Sequence, residues 1–166
     1  MAVLPVLIFP DERLKQIAQP VERFDTALSD FIHDLEQTMR VGPGGVGIAG
    51  PQVGCLQRIV IVDVSSRPKI AHHGRLILIN PEIVHSDGSV TGREGCMSVP
   101  DFTGNVQRAQ NIKLRSRDEH GAALELECSG YEARAILHEM DHLDGLLFLD
   151  RLVGRRSDLF PRKKYL

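Results

Sequence analysis

No stretch of this sequence approaches the roughly 20 consecutive apolar residues that a membrane helix requires; the run Ile59-Val60-Ile61-Val62 stops at Asp63. The opening segment Met1–Pro10 is apolar, but it lacks leading positive charges and contains Pro5 and Pro10, which is unlike a secretory signal. The expectation is a soluble, cytoplasmic protein with no membrane partner. Cysteine is scarce and odd in number, at three, which argues against a secreted disulfide scaffold. The thiols are left as inert core groups, metal ligands or a nucleophile. Charge of one sign is lacking too: 20 Lys+Arg against 22 Asp+Glu gives −2, without the basic surplus of a whole-chain nucleic-acid binder. Internal repeats and low-complexity stretches are absent. What is present is globular, with 42% hydrophobic and 25% charged residues in 18.4 kDa. That size suits a single domain over residues 1–166, large enough to bury its own core.

The local pattern predicts α+β. Asp11 can cap a short helix after Pro10 with Leu14, Ile17 and Ala18 on one face, ending before Pro20. Asp25 can cap a second, in which Leu28, Phe31, Ile32, Leu35 and Met39 recur at helical spacing until Gly42-Pro43-Gly44-Gly45 breaks it. Strand-like runs follow at Arg58–Val64, Leu76–Asn80, Asn111–Arg117 and Ala122–Cys128, with Asp118–Gly121 as a hairpin loop between the last two. A last helix spans about Glu132 to Leu143, stopped by Gly145. Ala133, Ile136, Leu137, Met140 and Leu143 cover most of its circumference, so it should be a central buried helix with mainly antiparallel sheets around it.

That helix carries His138-Glu139-Met140-Asp141-His142, an H-E-x-x-H string. Two histidines four residues apart share one side of a helix and can grip one metal ion, while Glu139 can serve water bound there as general base. Without a ligand, burial of two histidines and a glutamate would be costly. A catalytic site needs a third protein ligand and an open position. Phe148 stands where a metzincin has its third histidine, and no glutamate follows Glu139, so neither common zinc-protease arrangement is available. The third ligand must come from upstream or be Asp144, Asp150 or Asp158. Cys96, in Arg93-Glu94-Gly95-Cys96-Met97-Ser98-Val99-Pro100, sits beside a glycine that permits close approach, although taken alone it reads as an inert thiol, as Cys55 and Cys128 do. The segment Gly45-Val46-Gly47-Ile48-Ala49-Gly50-Pro51-Gln52 ends on an amide able to donate to an oxyanion, and it lacks the lysine and context of a phosphate loop.

Taken together and in this order, the three segments resemble peptide deformylases. That family carries Gly-φ-Gly-φ-Ala-Ala-x-Gln, Glu-Gly-Cys-Leu-Ser and Gln-His-Glu-x-Asp-His segments, and the resemblance runs over nearly the whole chain. It implies Cys96, His138 and His142 as metal ligands, Glu139 as acid/base, and the Gln52 side chain with the Met97 backbone N–H as oxyanion donors. It also implies that backbone near Val46 and Gly47 holds an extended substrate peptide. The implied reaction removes formate from the N-formyl-methionine that begins nascent chains. The implied cofactor is one divalent ion, Fe2+ by family habit, with Zn2+, Ni2+ or Co2+ as alternatives. Glu94 and Arg108 become candidates for support behind the ligands, a surface ion pair being the alternative.

This sequence departs from the pattern at three places. Gly50 replaces an alanine beside the substrate loop and is expected to loosen it. Leu137 replaces the glutamine before the first histidine, removing a hydrogen bond, and Met97 replaces leucine where only the N–H matters. From Arg151 to Leu166, six basic residues stand against Asp158 alone. This is read as a short basic tail, either solvated or in transient contact with the ribosome. Two rival readings are another amide hydrolase on the same scaffold and a protein whose metal is purely structural.

Overall fold

The computed structural model describes residues 2–162. Helix α1 (Thr26–Val41) starts where the Asp25 carboxylate accepts the Leu28 N–H at 3.0 Å. Strand β1 (Gly47–Ala49) leads through the 3-10 turn Gly50–Val53 to β2 (Ile59–Val62) and β3 (Leu76–Asp87). Strands β4 (Val90–Cys96) and β5 (Val99–Arg108) form a hairpin, as do β6 (Asn111–Arg117) and β7 (Ala123–Ser129). Helix α2 (Gly130–Leu143) follows, then a 3-10 turn and β8 (Leu159–Pro161).

All pairings between these strands are antiparallel, in a five-stranded sheet ordered β1-β2-β3-β6-β7 and a three-stranded sheet ordered β4-β5-β8. The alternation of β2 explains the layering. Ile59 and Ile61 join Ile32, Leu35 and Met39 of α1 on one face, while Val60 and Val62 join Ala133, Ile136 and Leu143 of α2 on the other. Both faces of β2 are therefore covered, and its four residues are fully buried. A third cluster joins Cys96, Val99 and Val106 of the small sheet to Leu147 and Phe148 just beyond α2. The α+β class and the buried motif helix are as expected, with nine residues of α2 buried.

Several local expectations are corrected. The segment after Asp11 is only a 3-10 turn, Glu12–Lys15, in which Leu14 is buried; Ile17 lies beyond it and is 64% exposed. Asn80-Pro81 reads as a strand end, yet β3 continues to Asp87 through a register shift. Asn80, at φ 53, makes this workable because its side chain exchanges hydrogen bonds with the Val21 backbone at 2.8 and 2.9 Å. The β4–β5 hairpin was not expected, because Gly92, Gly95 and Gly104 erase its alternation. A Cβ on Gly92 would lie 3.0–3.2 Å from the Arg134 guanidinium, so this glycine makes room for a charged side chain. The basic tail is corrected for the described residues: Leu159–Pro161 pairs with β5, the half-exposed Arg151 binds Asp141, and Arg162 reaches the Cys96 carbonyl. Lys163 to Leu166 lie outside the described residues.

Candidate metal centre

On α2, His138 and His142 stand one turn apart and both are buried. The β4–β5 turn carries Cys96 to them. One ligand atom from each of Cys96, His138 and His142 lies within 4.8 Å of the others, and Cys96 Sγ is 3.4 Å from His142 Nε2. Tetrahedral bonds of about 2.0–2.3 Å place ligand atoms roughly 3.5 Å apart, so the spacing fits a divalent ion. Among Asp144, Asp150 and Asp158, Asp144 binds Arg58, Asp150 caps Leu147 and Asp158 binds Asn105, so the upstream cysteine completes the cluster.

The donors are oriented from behind. His138 Nδ1 lies 2.8 Å from Glu94 Oε1, which leaves Nε2 for an ion. Glu94 receives both arms of Arg108 at 2.6 and 2.9 Å, and Arg134 adds a bond at 2.7 Å. Arg108 continues to Asp141 at 2.9 Å, which Arg151 grips twice. Glu94 and Arg108 are thus a buried pair rather than a surface one. Burial keeps His142 well below the usual imidazole range, helped by the neighbouring His138, so it stays neutral as a ligand must. At His138 burial opposes charge, but the Cys96 and Glu94 hydrogen bonds outweigh it and raise its pKa, so the cluster attracts positive charge.

Glu139 is buried, and among the described residues its Oε2 has no hydrogen-bond partner. Burial pushes its carboxyl up to about 7, with Glu94 adding to the rise and His138 opposing it. Its carboxylate packs on Gly47, where a Cβ would come within 2.8 Å of Glu139 Oε1 and push the carboxylate aside. Gln52 is pinned at both ends: Oε1 accepts the Ala49 N–H at 3.0 Å, while Nε2 lies 3.2 Å from Ser98 Oγ and 3.4 Å from Cys96 Sγ. Met97 lies in the turn after Cys96 and lines the same cleft of roughly 920 Å3 as Val46, Gly47, Gln52, His138 and Glu139.

Strand β1 forms one edge of its sheet. Val46 O accepts the Asp63 N–H at 2.8 Å, and antiparallel alternation then turns the Gly47 N–H and C=O away from β2, toward the open side. Gly50 does not line this cleft. A Cβ there would lie 2.9 Å from Cys55 O and 3.0 Å from Gln57 O, so the glycine reflects close backbone packing rather than a loosened loop. Leu137 packs on the α2–sheet core instead of supplying a polar contact. Arg134, Asp141 and Arg151 were missed; the available signal was a basic residue one turn before His138 on a helix expected to be buried.

Glu94 sets an acid limit. Burial raises its pKa, but the hydrogen bonds to His138 and Arg108 outweigh this and hold it at about 2, against 4.5 for a free glutamate. A depressed folded pKa stabilises the protein above about 4.5 and loses that contribution as pH falls through 2. The expected loss is about 3 kcal/mol. Urea unfolding of the protein and of Glu94→Gln across this window should show wild-type stability falling more steeply; parallel curves would contradict it.

A Cys-His-His cluster beside a buried glutamate on an H-E-x-x-H helix has the donor set and spacing of a metallohydrolase site. The sequence model of polypeptide deformylase matches residues 3–158. Peptide deformylase of Thermodesulfovibrio yellowstonii is 39% identical over 98% of this chain and 97% of its own, and that of Chromobacterium violaceum 43% over 98% and 95%. The crystal structure of peptide deformylase from Thermotoga maritima superposes with a TM-score of 0.86 at 35% identity, covering 93% of this chain and all of that one. The chain belongs to the polypeptide deformylase family, metal-dependent hydrolases that remove the N-formyl group from nascent polypeptides.

Proposed function

We propose that residues 1–166 act as one catalytic domain that hydrolyses the formyl amide of initiator formyl-methionine and releases formate. The observation carrying this reading is the buried, unpartnered Glu139 beside the Cys96–His138–His142 cluster. Cys96 Sγ and the two imidazoles would hold the ion, Fe2+ by family resemblance, with Zn2+, Ni2+ and Co2+ as alternatives. When bound, the ion supplies Lewis acidity, making water nucleophilic near neutral pH and polarising the formyl oxygen.

The residues of this chain do the rest. The substrate backbone adds to the open edge of β1, using the Gly47 N–H and C=O, with Val46 beside it. Glu139 removes a proton from the attacking water and delivers it to the leaving amine, which a carboxyl of pKa about 7 can do in both directions. The Gln52 amide and the Met97 N–H donate to the oxygen that gains charge. Gln52 is held by Ala49 and Ser98 before substrate arrives, so little reorganisation is needed.

The direct test is formate release from a short formyl-Met peptide by protein purified without oxygen and loaded with Fe2+. Turnover confined to formyl peptides supports the reading; preference for acetylated or unmodified peptides favours the rival amide hydrolase. Gln52→Ala should lower kcat by about a hundredfold or more with little change in KM; a change confined to KM would remove Gln52 from the oxyanion site.

Action on nascent chains supports a cytoplasmic location. Among the described residues no helix is long and apolar enough to cross a membrane. Arg155 and Arg156 are exposed and available for transient ribosome contact. Since β8 belongs to the fold, Arg155→Ala/Arg156→Ala is a better probe than truncation. It should reduce ribosome co-sedimentation at low salt, and unchanged binding would discard the contact.

A further inference from the structure

Six residues before His138, or about 9 Å along the helix axis, α2 carries a second group of ligand-type side chains. Glu132 is buried in its first turn, Cys128 is buried near the end of β7, and His73 reaches them from the exposed loop between β2 and β3. One donor atom from each of the three lies within 4.8 Å of the others. The His73 Nδ1 is 2.6 Å from Glu132 Oε1 and 3.8 Å from Cys128 Sγ. Tetrahedral zinc places its ligand atoms roughly 3.5 Å apart, and these separations bracket that value.

The electrostatics also call for a cation. Glu132 is 1% exposed, and among the described residues no lysine or arginine pairs with it; its oxygens bond to His73, through Nδ1 and the backbone N–H at 2.7 Å, with the Cys128 thiol close by. Arg108 and Arg134 serve Glu94, so this carboxylate has no share in the charge network behind the catalytic cluster. A buried carboxylate lacking a full positive partner is costly, and a divalent ion shared with an imidazole and a thiolate removes that cost. His73 is exposed and gives an ion and its water a route in.

We propose that His73, Cys128 and Glu132 form a second divalent-metal site, whose mixed nitrogen, sulfur and oxygen donors fit Zn2+ with water in the remaining position. Its effect is mechanical. The ion ties the loop containing Arg67 to the start of α2, and Arg67 lies 4.8 Å over the Tyr131 ring, where both line the substrate cleft. The second ion thereby braces one wall of the cleft without taking part in the chemistry.

The test is metal stoichiometry in the full chain after Zn2+ loading and gel filtration. Wild type should retain two ions per chain, His73→Ala and Cys128→Ser one each, and Cys96→Ser one. Cobalt-loaded Cys96→Ser should still show a thiolate-to-cobalt absorption band, which Cys96→Ser/Cys128→Ser should lose. His73 is exposed, so His73→Ala tests the site even where a core thiol replacement disturbs folding. One ion in wild type with none in Cys96→Ser overturns the second site. One ion in both wild type and Cys96→Ser, lost in His73→Ala, instead supports it and faults the proposed catalytic cluster.

Discussion

Replacing Glu139 with glutamine is expected to abolish formate release while leaving the metal in place. Glutamine keeps the size and the packing against Gly47 but can neither take the water proton nor return it to the amine. General acid–base catalysis by one group is worth about 10²–10⁴ in rate. The fall should therefore reach about a thousandfold in kcat, with KM and metal content near wild type. The pH profile sharpens the test. Burial pushes the Glu139 carboxyl up to about 7, and the base is its ionised form, so kcat/KM should rise as pH rises toward 7. A bound cation lowers the midpoint, placing this acidic limb at or below 7. Residual activity in the glutamine variant should lose that limb. Activity within tenfold of wild type would remove Glu139 from the proton path.

Those parts of the molecule whose chemistry is local could be read from the sequence. The α2 helix announced itself because its apolar residues surround it and its histidines fall one turn apart, both properties of a single segment. Helix α1 was equally legible from Leu28, Ile32, Leu35 and Met39. The third candidate ligand was not. Cys96 lies 46 residues before His142, and only the β4–β5 hairpin brings its sulfur within 3.4 Å of that ring. The same hairpin was hidden because its glycines serve neighbours: Gly92 clears Arg134, and Gly104 would otherwise meet the Leu152 side chain. Residues chosen for what approaches them carry little strand pattern of their own. The family resemblance supplied the cysteine where spacing alone left several candidates.

What the resemblance left unresolved was whether Glu94 and Arg108 belong to the surface or to the site. Arg108 is expected to be the most costly single truncation in the protein. Its guanidinium is 4% exposed, binds both oxygens of Glu94, and reaches Asp141 on the helix between the two histidines. Arg108→Leu removes a shared positive partner from two buried carboxylates at once. Arg134 and Arg151 remain as partners and soften the loss, but neither can bridge the two acids. Breaking a buried pair costs about 3–5 kcal/mol, a large share of the 5–15 kcal/mol that stabilises an ordinary domain. The midpoint of thermal unfolding should fall by about 10 °C. Because Glu94 holds His138 by its Nδ1, metal affinity should fall by about 10–100-fold as well. Glu94→Gln should show the same two losses, and the double variant should cost less than the sum, as expected for residues acting as one unit. Arg108→Lys should recover little, since an ammonium cannot reproduce the two-armed grip. Additive losses, or a shift of only a degree or two in Arg108→Leu, would mean that the hairpin and α2 are held in register by packing alone.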